Sequence, residues 1–263
     1  MKYLFETLKF RNEALFVFGL ICFIGAIVFF ALTRFTTTQV FNINAWYKPF
    51  KFAISIAIFV WTMAWYVGYL PNFDAKIFNW IVISTLGFEI IYITWQAARG
   101  QLSHFNISNG FYSTMYSLMG VAITITTLTT AYIGFLFLKN NFPELPSYYV
   151  WAIRLSIFIF VIFAFEGGLM ASRLTHTIGG PDGGEGIPIL NWSTKFGDPR
   201  IAHFIGMHAL QVLPILSFYL LRNTKLTILV GILYFALAVF TLAQALNGKP
   251  LFRQKSEITL HQN

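Results

Sequence analysis

Charge is scarce in this chain. Asp, Glu, Lys and Arg make up 11% of its 263 residues, against about 25% in a soluble domain. That shortage excludes an ordinary water-soluble globule. Cysteine is rarer still. The single Cys22 excludes an internal disulfide and any multi-cysteine metal centre, and says nothing about redox compartment. Neither HExxH nor CxxC occurs, so the usual zinc-protease and thiol-redox signatures are missing. No low-complexity tract and no soluble-domain-sized connection interrupts the chain.

What is abundant is apolar: 57% hydrophobic and 19% aromatic residues. A membrane span needs roughly 20 apolar residues. Seven runs qualify, at about 14–33, 52–70, 77–98, 111–138, 148–172, 201–221 and 226–246. The breaks carry turn chemistry, as in "LPNFDAK", "KNNFPELPS" and "LRNTK". We therefore expect an all-α, polytopic membrane helix bundle of about seven transmembrane helices, forming one domain over 1–263. The first run has no small-residue cleavage site, so it reads as an anchor rather than a signal peptide. The net charge of +8 points to basic residues at membrane faces, where they set topology and meet anionic lipid. It does not point to nucleic acid. The expected partners are the lipid bilayer and an anionic small molecule or lipid headgroup.

Seven spans place the termini on opposite sides. The long polar connections then share one side: "RFTTTQVFNINAWYKPFK", "RGQLSHFNISNG", the glycine-rich "IGGPDGGEGIPILNWSTKFGD", and the C-terminal tail. Long loops are often functional, so this loop face is where a site is expected. The loop "IGGPDGGEG" is not a phosphate loop, because it lacks the terminal Lys-Ser/Thr and no strand precedes it. It reads as a lid over the bundle mouth. Lys and Arg divide nearly evenly between the faces. If Lys48, Lys51, Arg99, Arg173 and Arg200 belong to a buried site, the remainder favours a cytoplasmic N-terminus in the plasma (inner) membrane.

Three spans carry a polar stripe at helical spacing. They are Glu89, Tyr92, Gln96 and Arg99; Glu166, Leu169, Arg173 and His176; and Arg200, His203, Met207, Gln211 and Pro214. Ionisable residues inside a span are costly and mark functional sites by default. The stripes are expected to face one another, with Gln96 or Arg99 near Glu89. Asp198 and Pro199 fix the start of the sixth span. Counting depth at about 1.5 Å per residue sets His208 opposite Glu166, with His203 close to His104 or His176. A lone intramembrane histidine is usually a structural hydrogen-bonding residue, and Met207 reads as packing. Four of the five histidines at one face, with Glu166, read as a site.

Glu166 and His208 are the candidate catalytic pair. His104, His176, His203, His208, Arg173 and Arg200 are the candidates for holding a cofactor. His176, His203, His208 and Glu166 form the candidate metal set. Lys48, Lys51 and Arg99 are the candidate anion-binding residues, since two lysines at a helix N-terminus favour an anion.

"QAARGQLSHFN" and "GPDGGEGIPILNWSTKFGDPRIAHFIGMHALQVLP" resemble segments of an uncharacterised family of bacterial multi-span membrane proteins. "NAWYKPFKFAIS" fits the same pattern. The resemblance implies a multi-span membrane fold and no activity, cofactor or partner. The last span holds no lysine for a retinal Schiff base, unlike microbial rhodopsins. Seven-span ceramidase-like hydrolases offer a fold-level analogy only.

Three functions remain open at this point. One is a metal- or haem b-binding protein, redox or hydrolytic, with histidine ligands and arginines on propionates. Another is a proton-coupled carrier using Glu89 and Glu166. The third is a sensory or structural membrane protein.

Overall fold

The computed structural model describes residues 2–184 and 186–252. Its elements run α1 (Lys2–Arg11), α2 (Glu13–Phe35), β1 (Gln39–Val40), β2 (Ile43–Asn44), α3 (Tyr47–Val67), α4 (Lys76–Ala98), α5 (Gly110–Lys139), α6 (Ser147–Arg173), α7 (Arg200–Leu216) and α8 (Thr224–Leu246). A π-helical turn, Ser217–Leu221, extends α7. Among the described residues, seven helices are long and apolar enough to cross a membrane. The protein is an integral membrane helix bundle. The spans match the expected runs closely, except that the second begins at Tyr47, ahead of the apolar run. Pro49 sits in its first turn, where its missing N–H breaks no bond.

Side chains set where the helices start. Asn12, Asn109 and Asn223 each accept the amide of the residue three positions on, capping α2, α5 and α8. Asn12 and Asn79 also exchange amide hydrogen bonds in both directions, tying α2 to α4 at the face opposite the loops. The short α1 holds no apolar run long enough to span, and it buries Leu8. Its Arg11 lies over Trp65 and Tyr69 and donates to the Trp65 carbonyl.

Helix α6 packs on α5, α7 and α8, while α3 packs on α2 and α4. Gly206 lets α7 close on α6, since any Cβ there would strike the Phe163 ring. Pro214 lacks the N–H that would bond the carbonyl of Leu210. The Tyr66 hydroxyl of α3 donates to that carbonyl instead, so a proline defect becomes an interhelical hydrogen bond.

The loop face gathers three connections. Between α2 and α3, a two-residue hairpin turns at Phe41 and Asn42, both at positive φ, as a primed turn requires. Residues 99–109 join α4 to α5. Residues 174–199 form the long loop, closed on itself by paired backbone bonds between Ile178 and Gly197. Gly248, just after α8, lies against Gly179 of this loop, so the chain after α8 shares the loop face. The tail from residue 253 lies outside the described residues.

Candidate functional site

The site is a cavity of about 180 Å³ at the loop face. The hairpin, the first turns of α3, the loop after α4, the glycine-rich loop and Arg200 at the start of α7 enclose it. The hairpin tip sits on the glycine-rich loop. Gly183, at φ +86°, lies under Phe41, and a Cβ there would come within 3.0 Å of the Phe41 side chain. The loop thus roofs the bundle mouth, as expected of a lid.

Asp182 organises that roof. One oxygen accepts the hydroxyls of Thr175 (2.8 Å) and Thr177 (2.7 Å), and the carboxylate accepts the His176 amide at 3.0 Å. Its other oxygen meets His176 Nδ1 at 3.0 Å. A carboxylate only accepts, so Nδ1 donates and Nε2 keeps its lone pair. Burial pushes the Asp182 carboxyl up, but the bonds from His176 and Thr177 outweigh it and hold the group well below the usual carboxylate range. Burial lowers the His176 pKa, opposed by its bond to Asp182 and assisted by Arg200 and Lys48. His176 is therefore a neutral imidazole near pH 7, oriented by a carboxylate. His104, also on the cavity wall, is held well below its ordinary value by burial, then by Lys48 and His176. Its Nδ1 lies 3.2 Å from Ser103 Oγ.

The three cations differ in their commitments. Arg200 Nε donates to Asp198 (2.8 Å), and its Nη2 donates to the Asn191 carbonyl (2.6 Å) and to Asp198. Asp198 also accepts the amides of Arg200 and Ser193. It therefore organises the start of α7 as expected, with the helix beginning one residue later. Lys51 Nζ donates to the Leu190 carbonyl at 3.2 Å. Lys48 lines the cavity; its amide donates to the Ala45 carbonyl, and its Nζ has no hydrogen bond or ion pair within the described residues. Glu89, Lys51, Arg200 and Asp182 lie within its electrostatic reach.

The structure redistributes the other candidates. Helix α6 ends at Arg173, with Leu174 in a left-handed conformation, so His176 leaves the helical stripe and joins the loop. Glu166 approaches His203, not His208, at 3.3 Å. His208 turns to Gln211 (3.3 Å) and meets the Phe204 ring edge to face. The expected Glu166–His208 catalytic pair is thus replaced, because the real rotation of α7 brings His203 against α6. Arg173 is exposed at the end of α6 and is no cofactor residue of this cavity. Arg99 is also exposed and lies over Trp95, 4.5 Å from the ring centroid. It does not line the cavity, so it falls outside the anion set. Gln96 is buried, but its amide serves the Leu102 carbonyl rather than Glu89.

The metal and haem candidates do not converge. Among the described residues, no three His, Cys, Asp or Glu side chains could hold one ion. His176 serves Asp182, His203 faces Glu166, and His208 serves Gln211. The cavity is smaller than the roughly 300 Å³ at which drug-sized pockets begin, so it does not take a porphyrin. The described residues thus do not fit a metal site of three such ligands.

Asp182 and Ser103 were not singled out in the sequence. Asp182 had a signal: it is one of only ten acidic residues in the chain and sits in a glycine-rich loop shortly after a Thr-His-Thr triplet. No known protein family, curated protein or solved structure matches the chain.

Proposed function

We propose that this integral membrane protein binds a phosphate-type anion in the loop-face cavity, on a free small molecule or on a lipid headgroup. On this reading His176, oriented by Asp182, exchanges a proton with the bound group. One observation carries the reading. Lys48 is a part-buried ammonium that lines the cavity and has no partner among the described residues. Glu89 and Asp182 lie within reach of that charge but do not bond it, and an anion beside Lys48, Lys51 and Arg200 supplies a direct partner. The N-terminus of α3 supplies further positive potential. The small volume favours a compact group. Lysine acts as a point charge on phosphate, and three cations from two elements, Lys48 and Lys51 of α3 and Arg200 of α7, surround a tetrahedral dianion better than a planar carboxylate.

Titration calorimetry on the detergent-solubilised protein tests this, with inorganic phosphate in one arm and a short-chain anionic phospholipid in the other. Lys48→Met keeps the stem and removes the charge. It is expected to weaken binding at least tenfold in whichever arm binds, with Lys48→Arg retaining most of it. A preference for phosphate assigns a free small molecule, and a preference for the phospholipid assigns a headgroup. Equal heats for wild type and Lys48→Met in both arms overturn the reading. His176→Gln is expected to keep binding at neutral pH and to reduce the part of its pH dependence that appears below about 6.5, with the phosphate's own ionisation remaining.

A further inference from the structure

A second ionisable cluster lies inside the bundle, away from the cavity wall. Glu166 of α6 is 5% exposed, and neither of its oxygens has a hydrogen-bond partner. His203 of α7 is 31% exposed, and its Nδ1 lies 3.3 Å from Glu166 Oε2. That approach is off the hydrogen-bonding direction, so Nδ1 also lacks a partner. Three unmet polar atoms therefore converge between two helices. Gly167 makes the room for this: a Cβ there would stand 3.1 Å from His203 Cε1.

The surroundings do not neutralise Glu166. On α7, His208 is within electrostatic reach of His203 but is bonded to Gln211. On α8, the Tyr234 hydroxyl donates to the Ile205 carbonyl. On α5, the Tyr116 hydroxyl donates to the Ala171 carbonyl. Lys48, Lys51 and Arg200 stand at the cavity. No Lys or Arg forms an ion pair with Glu166 among the described residues.

Count the protons this pair can hold. With none, a buried carboxylate carries an unbalanced negative charge. With two, the imidazolium carries an unbalanced positive one. With one, the pair is neutral overall, as acid beside imidazole or carboxylate beside imidazolium. Only this state avoids an isolated charge in a low-dielectric interior. We propose that Glu166 and His203 form an intramembrane proton-binding site that holds one proton between the carboxylate and imidazole Nδ1. Binding adds one proton from water to the pair, and release returns it; nothing else is exchanged. The partly exposed His203 is the side from which the proton arrives. This site is independent of the anion cavity, so either proposal can fail alone.

Solid-state NMR of the full chain in lipid nanodiscs tests it, with 13C-labelled glutamate side chains and 15N-labelled histidine rings. In the wild type, the Glu166 carboxyl and the His203 ring nitrogens are expected to shift together, with one shared midpoint. In His203→Gln, the Glu166 midpoint is expected to move away from the wild-type value. In Glu166→Gln, the His203 midpoint is expected to move likewise. Should one variant not insert, the wild-type titration and the other variant still decide. Separate midpoints, each unchanged when the other residue is replaced, overturn the proposal.

Discussion

At the scale of single residues, burial and hydrogen bonding set the charge states at the loop face. His104 and His176 have folded pKa values below the ordinary one. For them the unfolded state binds protons more tightly, so stability falls as pH drops below about 6.5. Asp182 is shifted down as well. As a carboxylate it stabilises the fold above about 3.9 and loses that contribution as pH falls through its depressed value. Acid should therefore act in two stages, histidines first and Asp182 last. The melting midpoint of the solubilised protein is expected to decline between about pH 7 and pH 5, and His104→Asn is expected to flatten that decline. An unchanged slope in the variant would show that His104 is not buried as a neutral ring.

Helices were the most legible part of the chain and their mutual rotation the least. Run length is a local property, so all seven spans could be read from it. Which side chains meet across two helices depends on axial rotation and stagger, which no single helix encodes. That is why His203 rather than His208 meets Glu166. The Phe41–Asn42 hairpin and α1 were missed because neither is a long apolar run. Pro214 shows what an element gains from its neighbour. Tyr66→Phe is expected to cost about 1–2 kcal/mol, because the Leu210 carbonyl then has no donor and no water to turn to. Pro214→Ala restores the backbone N–H and should recover most of that loss in the double variant. Unfolding by denaturing detergent measures both. At the α6–α7 contact, Gly206→Ala overpacks the Phe163 ring and should cost about 1–3 kcal/mol.

For the whole molecule, the connections sort onto two faces, and the polar chemistry lies on one. Reporter fusions after Asn141 and after Gly184 are expected to report opposite sides, and same-side reports would dismantle the cavity. With Arg99 and Arg173 exposed, the basic residues no longer favour one orientation clearly, and the fusions read it directly. The location of a site at the loop face was legible in the sequence, from loop length and from histidines clustered at one end. Its donor set was only half legible. Lys48, Lys51, Arg200, His104 and His176 line one cavity, but Asp182 was hidden in a loop whose fold no periodicity reveals. The proposed oxyanion beside Lys48 is open to direct observation. The most direct measurement is anomalous scattering from crystals grown with arsenate, a phosphate surrogate. An arsenic peak is expected within hydrogen-bond reach of Lys48 Nζ, under the Asp182 loop, and is expected to disappear in Lys48→Met. Arsenic peaks confined to outer basic residues such as Arg99 and Arg173, with none beside Lys48, would contradict it.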